Sequence, residues 1–157
     1  MFMENRSNSF VNHAVGATGA STVLQIREEW RLAREAHKDL QVAGMPRTNL
    51  LLVGSTGATR IVMEMLWLEL REPILTWRPG QPLELPSPGR ASTLVLHDIN
   101  ELTRDDQQRM LRWMDQTGSR IRVVSTTRTS MWPLLKSGAF NDALYYRLNT
   151  VCVDIEV

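Results

Sequence analysis

Four consecutive residues, Leu50 to Val53, are apolar, with no polar residue alternating among them. An unbroken apolar run this short suits a strand covered on both faces, the habit of a parallel sheet packed between helices. The pattern returns in "STLVLHD" (92–98), "IRVVSTT" (121–127) and "VCVDIEV" (151–157), and more briefly in Ile74 to Trp77. Stretches with helical spacing separate these runs. Apolar strands alternating with amphipathic helices indicate an α/β fold around a parallel sheet.

The helical stretches carry their own punctuation. Residues 1–20 are small and polar and are expected to form a flexible N-terminal arm, leaving 21–157 as one α/β core. A first helix is expected to start at Thr22, with Gln25 three residues on as a capping box. Val23, Ile26, Trp30, Ala33, His37 and Leu40 recur every three or four residues and predict one buried face, closed by Gly44 and Pro46. His37 on that stripe reads as a packed histidine, since no second ligand stands at metal spacing. A second helix is expected to run through Leu70 to the stop at Glu72-Pro73. Its Met63, Leu66, Trp67 and Leu70 fit a core stripe better than a cofactor box. "RPGQPLELPSPG" reads as proline-broken loop or hairpin. Thr103 with Asp106 opens a third helix bearing Met110, Leu111 and Met114 and closed by Gly118. Two short helices, around Trp132 to Ser137 and Asn141 to Leu148, precede the last strand.

Charge excludes little but favours nothing exotic. Eighteen Lys and Arg against 17 Asp and Glu leave a net charge of +1, so there is no polyanion-seeking field and no direct DNA binding is expected. The single cysteine, Cys152, rules out an internal disulfide framework. No apolar run approaches the roughly 20 residues that span a bilayer, and "MFMENRSNSF" has no basic-then-apolar signal pattern. A soluble cytoplasmic protein without a membrane partner is the expectation.

Between the first apolar run and the second helix lies a glycine turn, Gly54, Ser55, Thr56, Gly57, Ala58, Thr59 and Arg60. A working phosphate loop reads G-x-x-x-x-G-K-[ST], its glycines letting backbone N–H groups surround phosphate, its lysine meeting the outer phosphates and its hydroxyl binding magnesium. Here Thr59 replaces the second glycine, Arg60 the lysine and Ile61 the hydroxyl. An arginine fork does not reproduce a lysine point charge in a tight cradle, and Ile61 cannot ligate a metal. A Rossmann-type turn ranks lower. "GATGAS" at 16–21 follows too short a strand, Arg60 stands where the third glycine belongs, and no acidic residue ends a second strand.

Downstream, "STLVLHDINELTRDDQQRMLRWMD", "IRVVSTTRTSM" and "SGAFNDALYYRLNTVCVDI" resemble the AAA+ domain of sigma-54-dependent transcriptional activators, in order, from about Thr48 to Ile155. "LYYRLN" is the most specific part. The resemblance implies a three-layer, P-loop NTPase-like AAA+ core with a five-stranded parallel sheet. It also brings out departures. The Walker B aspartate falls on His97, where a drifted cleft position is favoured over a metal or acid–base pair. The water-polarising glutamate falls on Asp98 and the sensor asparagine on Arg128. Of two arginines that reach a neighbouring subunit, the first position is Asn141 and the second is retained as Arg147, which can equally pair with Asp142. The loop that engages sigma-54 in full activators has no counterpart between 69 and 91, and the helical lid is expected to be absent.

These departures predict no catalysis. The expected role is a non-catalytic AAA+ module acting by protein–protein contact in bacterial transcription or signalling control, either on a true activator or by self-association. Trp132-Pro133 and the Trp77–Pro88 segment are its candidate contact surfaces. The alternatives are an ATP-binding regulatory domain still switched by nucleotide, and a nucleotide-free structural or adaptor domain. No metal or cofactor is expected, with ATP or ADP at most weakly bound and no magnesium-dependent hydrolysis.

Overall fold

A computed structural model describes residues 17–42 and 48–155. In chain order these form α1 (Ala17–Val42), β1 (Leu50–Val53), α2 (Thr56–Trp67), β2 (Ile74–Trp77), β3 (Thr93–Leu96), α3 (Arg104–Thr117), β4 (Arg122–Thr127), α4 (Trp132–Ser137), α5 (Asp142–Leu148) and β5 (Val151–Asp154). The five strands build one sheet in the order β2-β3-β4-β1-β5, every pair parallel. This is the α/β core the apolar runs imply.

The apolar runs sort by pleat into two cores. Leu51, Leu94, Leu96 and Val123 point to one face, where Met110, Trp113, Phe140, Leu144 and Leu148 of α3, α5 and their connections cover them. Leu50, Leu52, Val95 and Val124 point to the other, against Ala33, Ala36, Ile61, Val62 and Leu66 of α1 and α2. A strand buried on both sides needs no alternation, which is why β1 and β3 read as continuous apolar runs.

Local signals set the helix ends. Thr103 caps α3 by accepting the Asp106 N–H at 3.2 Å, and Gly118 closes it at φ +58°. Asn141 caps α5 by accepting the Leu144 N–H at 2.9 Å. Buried Gln107 then ties the two helices: its amide N–H donates to the carbonyls of Leu102 and Ala139, and its oxygen accepts from Asn141 N–H at 2.8 Å.

Several expectations need correction. Helix α1 begins at Ala17, so residues 17–20 are its first turn rather than part of an arm. Residues 1–16, and the expected stop at Gly44 and Pro46, lie outside the described residues. The α1 stripe is buried only in its second half. Val23, Ile26 and Trp30 are exposed, while Ala33 and Ala36 are the residues sealed against α2. The reason is length: a 26-residue helix is roughly 39 Å long and overhangs a 12-residue partner. His37 is half-buried and hydrogen-bonded to Glu69 at 3.0 Å, a packed histidine as expected. Helix α2 stops at Trp67, three residues before Leu70, and Trp67 lies 42% exposed instead of in the core stripe. The 78–90 segment is loop without a hairpin. It is pinned by Trp77 Nε1 to the Gln81 carbonyl, Trp113 Nε1 to that of Pro86 and Arg109 to that of Leu83. Trp77 and Leu83 are buried, so this segment offers less contact surface than its aromatic residue suggests. Trp132, by contrast, is 61% exposed.

Candidate functional site: the glycine turn and the ends of β3 and β4

In a parallel sheet the strand ends all point one way, and the crevice beyond their carboxyl ends is where such folds place ligands. Gly54 follows β1, His97 and Asp98 follow β3, and Arg128 follows β4, and these three strands are neighbours. The sheet therefore gathers every candidate site residue except Arg147.

Gly54 continues the β1 ladder, its N–H donating to the Thr127 carbonyl at 3.0 Å. A Cβ there would stand 3.1 Å from Cβ of Ile155, so the close approach of β5 favours glycine. The chain then turns directly into helix. Ser55 is the N-cap of α2, its hydroxyl accepting the Ala58 N–H at 3.2 Å. Thr56 to Arg60, four of them loop positions in a working phosphate loop, are thus wound into the first turns of α2. Thr59 is buried, and its hydroxyl donates to the carbonyls of Ser55 at 2.9 Å and Thr56 at 3.3 Å. A threonine suits this helical position, where a loop would have used a glycine's wider backbone freedom. Arg60 points into solvent and pairs with Glu64 at 2.9 Å. Ile61 is 2% exposed in the α2 core.

At the end of β3, Asp98 adopts a left-handed conformation (φ 51°, ψ 60°), which aspartate tolerates better than most residues. Its N–H donates to Thr126 Oγ1 at 3.2 Å, and its carboxylate pairs with Arg128 Nε at 3.2 Å. His97 is half-buried, its N–H bonded to the Trp77 carbonyl at 3.1 Å. Burial, then the Arg78 charge, push its imidazole pKa below the ordinary value, with Asp98 pulling weakly the other way. A pocket of about 640 Å³ opens between α2 and the ends of β2 and β3, lined among others by Arg60, Met63, Trp67, Arg78, His97 and Asp98.

Arg147 stands apart. Its carbonyl accepts from Asn49, at the amino end of β1, so it lies at the opposite end of that strand from the glycine turn. Its guanidinium pairs with Asp115 of α3 rather than with Asp142. The backbone fold carries Asp115 under the last turn of α5, a meeting of residues 32 apart that local spacing does not announce. Among the described residues no cluster of three or more His, Cys, Asp or Glu is placed to hold a metal. No helix among them is long and apolar enough to cross a membrane.

Two participants, Arg78 and Glu29, carried no flag as site residues in the sequence, and a third, Trp67, was expected in the core stripe. Arg78 faces His97 only because β2 and β3 are neighbours. Trp67 turns outward to line the pocket. Glu29 of α1 reaches the glycine turn, its carboxylate receiving the Ser55 hydroxyl at 3.4 Å. The small pair Ala33 and Ala36, three residues apart, is the one signal that α1 packs closely on a helix.

The sequence matches the sigma-54 interaction domain over residues 32–156. The chain belongs to that family, and its fold is the P-loop NTPase-like AAA+ core of the family. Among solved structures it is similar to NtrX from Brucella abortus, at TM-score 0.65 and 14% identity over 88% of this chain and 42% of that one. NtrX in complex with ATP aligns at TM-score 0.61 and 14% identity, over 95% of this chain and 37% of that one. The Drosophila ORC bound to GC-rich DNA and Cdc6 aligns at TM-score 0.57 and 13% identity, covering 94% and 64%. At these identities the likeness is one of fold, and the chain spans less than half the length of the NtrX structures. No curated protein matches the sequence.

Proposed function

We propose that this chain is a non-catalytic sigma-54-interaction-type AAA+ module that works in the bacterial cytoplasm by protein–protein contact, in transcription or signalling control. The observation that carries the reading is the Asp98–Arg128 pair at 3.2 Å. The carboxylate at the water-polarising position is paired with a cation. Hydrolysis also needs charge neutralised on the outer phosphates. Ile61, at the hydroxyl's position, is buried in apolar surroundings, and His97, at the Walker B aspartate's position, is biased toward its neutral form. The partner is a AAA+ activator or a second copy. Exposed Trp132 and the Val23, Ile26 and Trp30 stripe of α1 supply apolar surface for contact.

The test is steady-state turnover of magnesium-ATP by the purified chain. No turnover above background is expected. A rate that disappears in Asp98→Ala would end the reading.

A second reading, a regulator switched by nucleotide without hydrolysis, draws support from the N-terminus of α2, whose dipole still attracts anions beside the strand ends. Weak or no affinity for ATP and ADP is expected. Tight, magnesium-dependent ATP binding in calorimetry would select this second reading.

A further inference from the structure

The first half of α1 carries an apolar row outside both cores. Val23, Ile26 and Trp30 are 51%, 47% and 44% exposed, and neither hydrophobic cluster includes them. Their spacing of three then four is that of the a and d positions of a coiled-coil heptad, and Ala33, His37 and Leu40 continue it. Along that continuation the fold already supplies the contact: Ala33 is sealed against α2, and His37 is bonded to Glu69. Upstream of Ala33 the same seam has no partner helix among the described residues.

Charges beside the seam select what can lie against it. With Val23 and Trp30 at a and Ile26 at d, Arg27 and Arg34 fall at e, and Thr22 and Glu29 at g. Arg31, away from the seam, is paired with Glu28 and Glu35. Arg27 and Arg34 have no ion-pair partner among the described residues. The Glu29 carboxylate lies against Gly57 and stands 3.4 Å from the Ser55 hydroxyl. That is longer than the O–H···O bond that would fix it, so it is free to turn toward the seam. A second α1 laid parallel sets Glu29 of each copy beside Arg34 of the other, g against the following e. Laid antiparallel, it sets Arg27 against Arg34. Only the parallel order is complementary.

We infer that α1 pairs in parallel with the α1 of a second copy through Val23, Ile26 and Trp30, a short two-stranded coiled coil flanked by Glu29–Arg34 pairs between the copies. The cores leave room for it. At about 100° per residue, Ala33 and Ala36, which seat α1 on α2, point roughly a quarter turn away from Trp30. A two-fold axis along the seam therefore puts the two cores on opposite sides. This pairing rests on the protein-contact reading proposed above and names the partner as the chain itself. A seam of about two helical turns is short, and the dimer is expected to dissociate at roughly tens of micromolar or above. Unfolding of dilute protein accordingly reports on the monomer.

Sedimentation velocity of the full chain over a concentration series is the test. Wild type is expected to pass from monomer to dimer as concentration rises through that range. Trp30→Ser is expected to weaken the dimer at least about tenfold. Arg34→Glu, which sets Glu29 beside a like charge, is expected to weaken it about threefold or more. Adding Glu29→Arg to Arg34→Glu restores the pair with its signs exchanged and is expected to recover the loss, a rescue that damage to the fold would not give. Orientation has its own readout: Ile26→Cys in a Cys152→Ser background is expected to form a disulfide between copies, because like d positions meet only in a parallel pair. A monomer at every concentration would overturn the pairing and leave the apolar row to a different protein. A dimer indifferent to Trp30→Ser would place the contact elsewhere and overturn it too. A double variant no tighter than Arg34→Glu alone, or an Ile26→Cys chain that does not cross-link, would overturn the parallel order. Magnesium-ATP turnover would remove the non-catalytic reading and leave each of these outcomes untouched.

Discussion

Asp98 and His97 show how much a single position depends on its neighbours in space. Asp98 is oriented by Thr126 and bound by Arg128, both on β4 or just beyond it. His97 is half-buried beside Arg78, and the folded imidazole is harder to protonate than in the open chain. As pH falls, the unfolded chain therefore takes up the proton first. The stability tied to this residue is whole above the ordinary imidazole pKa and declines as pH drops through it toward the lowered folded value. The urea midpoint of wild type is accordingly expected to fall between about pH 7 and pH 5, and His97→Gln to fall less. Parallel declines in the two proteins would remove His97 as the cause. Gln107 is the structural counterpart. Replacing it with leucine strands the Ala139 carbonyl and the Asn141 N–H, an expected loss of about 2–4 kcal/mol in chemical denaturation. Neither role was legible beforehand. A glutamine inside an amphipathic helix, or a histidine after an apolar run, carries no sign of what will face it.

The secondary elements were far more legible. The cap of α3, the span of α5 and the extents of β1 and β2 follow from residues within a few positions, because a capping bond or a strand's pleat is decided locally. Helix α1 is the exception that matters. Its regular stripe predicts burial along the whole length, but a stripe records only which residues share a face. How much of that face is covered depends on the reach of α2. The two halves should therefore respond differently to substitution. Ile26→Ser and Trp30→Ser, at positions already exposed, are expected to change stability by no more than about 0.5 kcal/mol. Ala33→Leu, where α1 touches α2, is expected to cost about 1–3 kcal/mol through overpacking. Thermal or urea unfolding of the three variants checks the contrast; a uniform response along the helix would contradict the overhang.

At the scale of the molecule, the sheet is held together by contacts between distant parts of the chain. Asn49 is one knot: its amide donates to the Arg147 carbonyl at 2.9 Å and its oxygen accepts the Val123 N–H at 2.9 Å, joining the entry to β1 with α5 and β4. Asn49→Ala is expected to cost about 2–3 kcal/mol in a single cooperative unfolding transition. A negligible loss would show that water replaces both bonds. The sequence by itself determined the α/β class, the order of strands and helices and the place of the glycine turn, because apolar period, capping and turn chemistry are written within a few residues. Only the tertiary structure decided that β3, β4 and β1 lie side by side, that Arg128 takes the Asp98 carboxylate and that Glu29 rests on Gly57. Those pairings join residues brought together by crossovers of the chain, and a crossover leaves no periodic trace in the segments it connects.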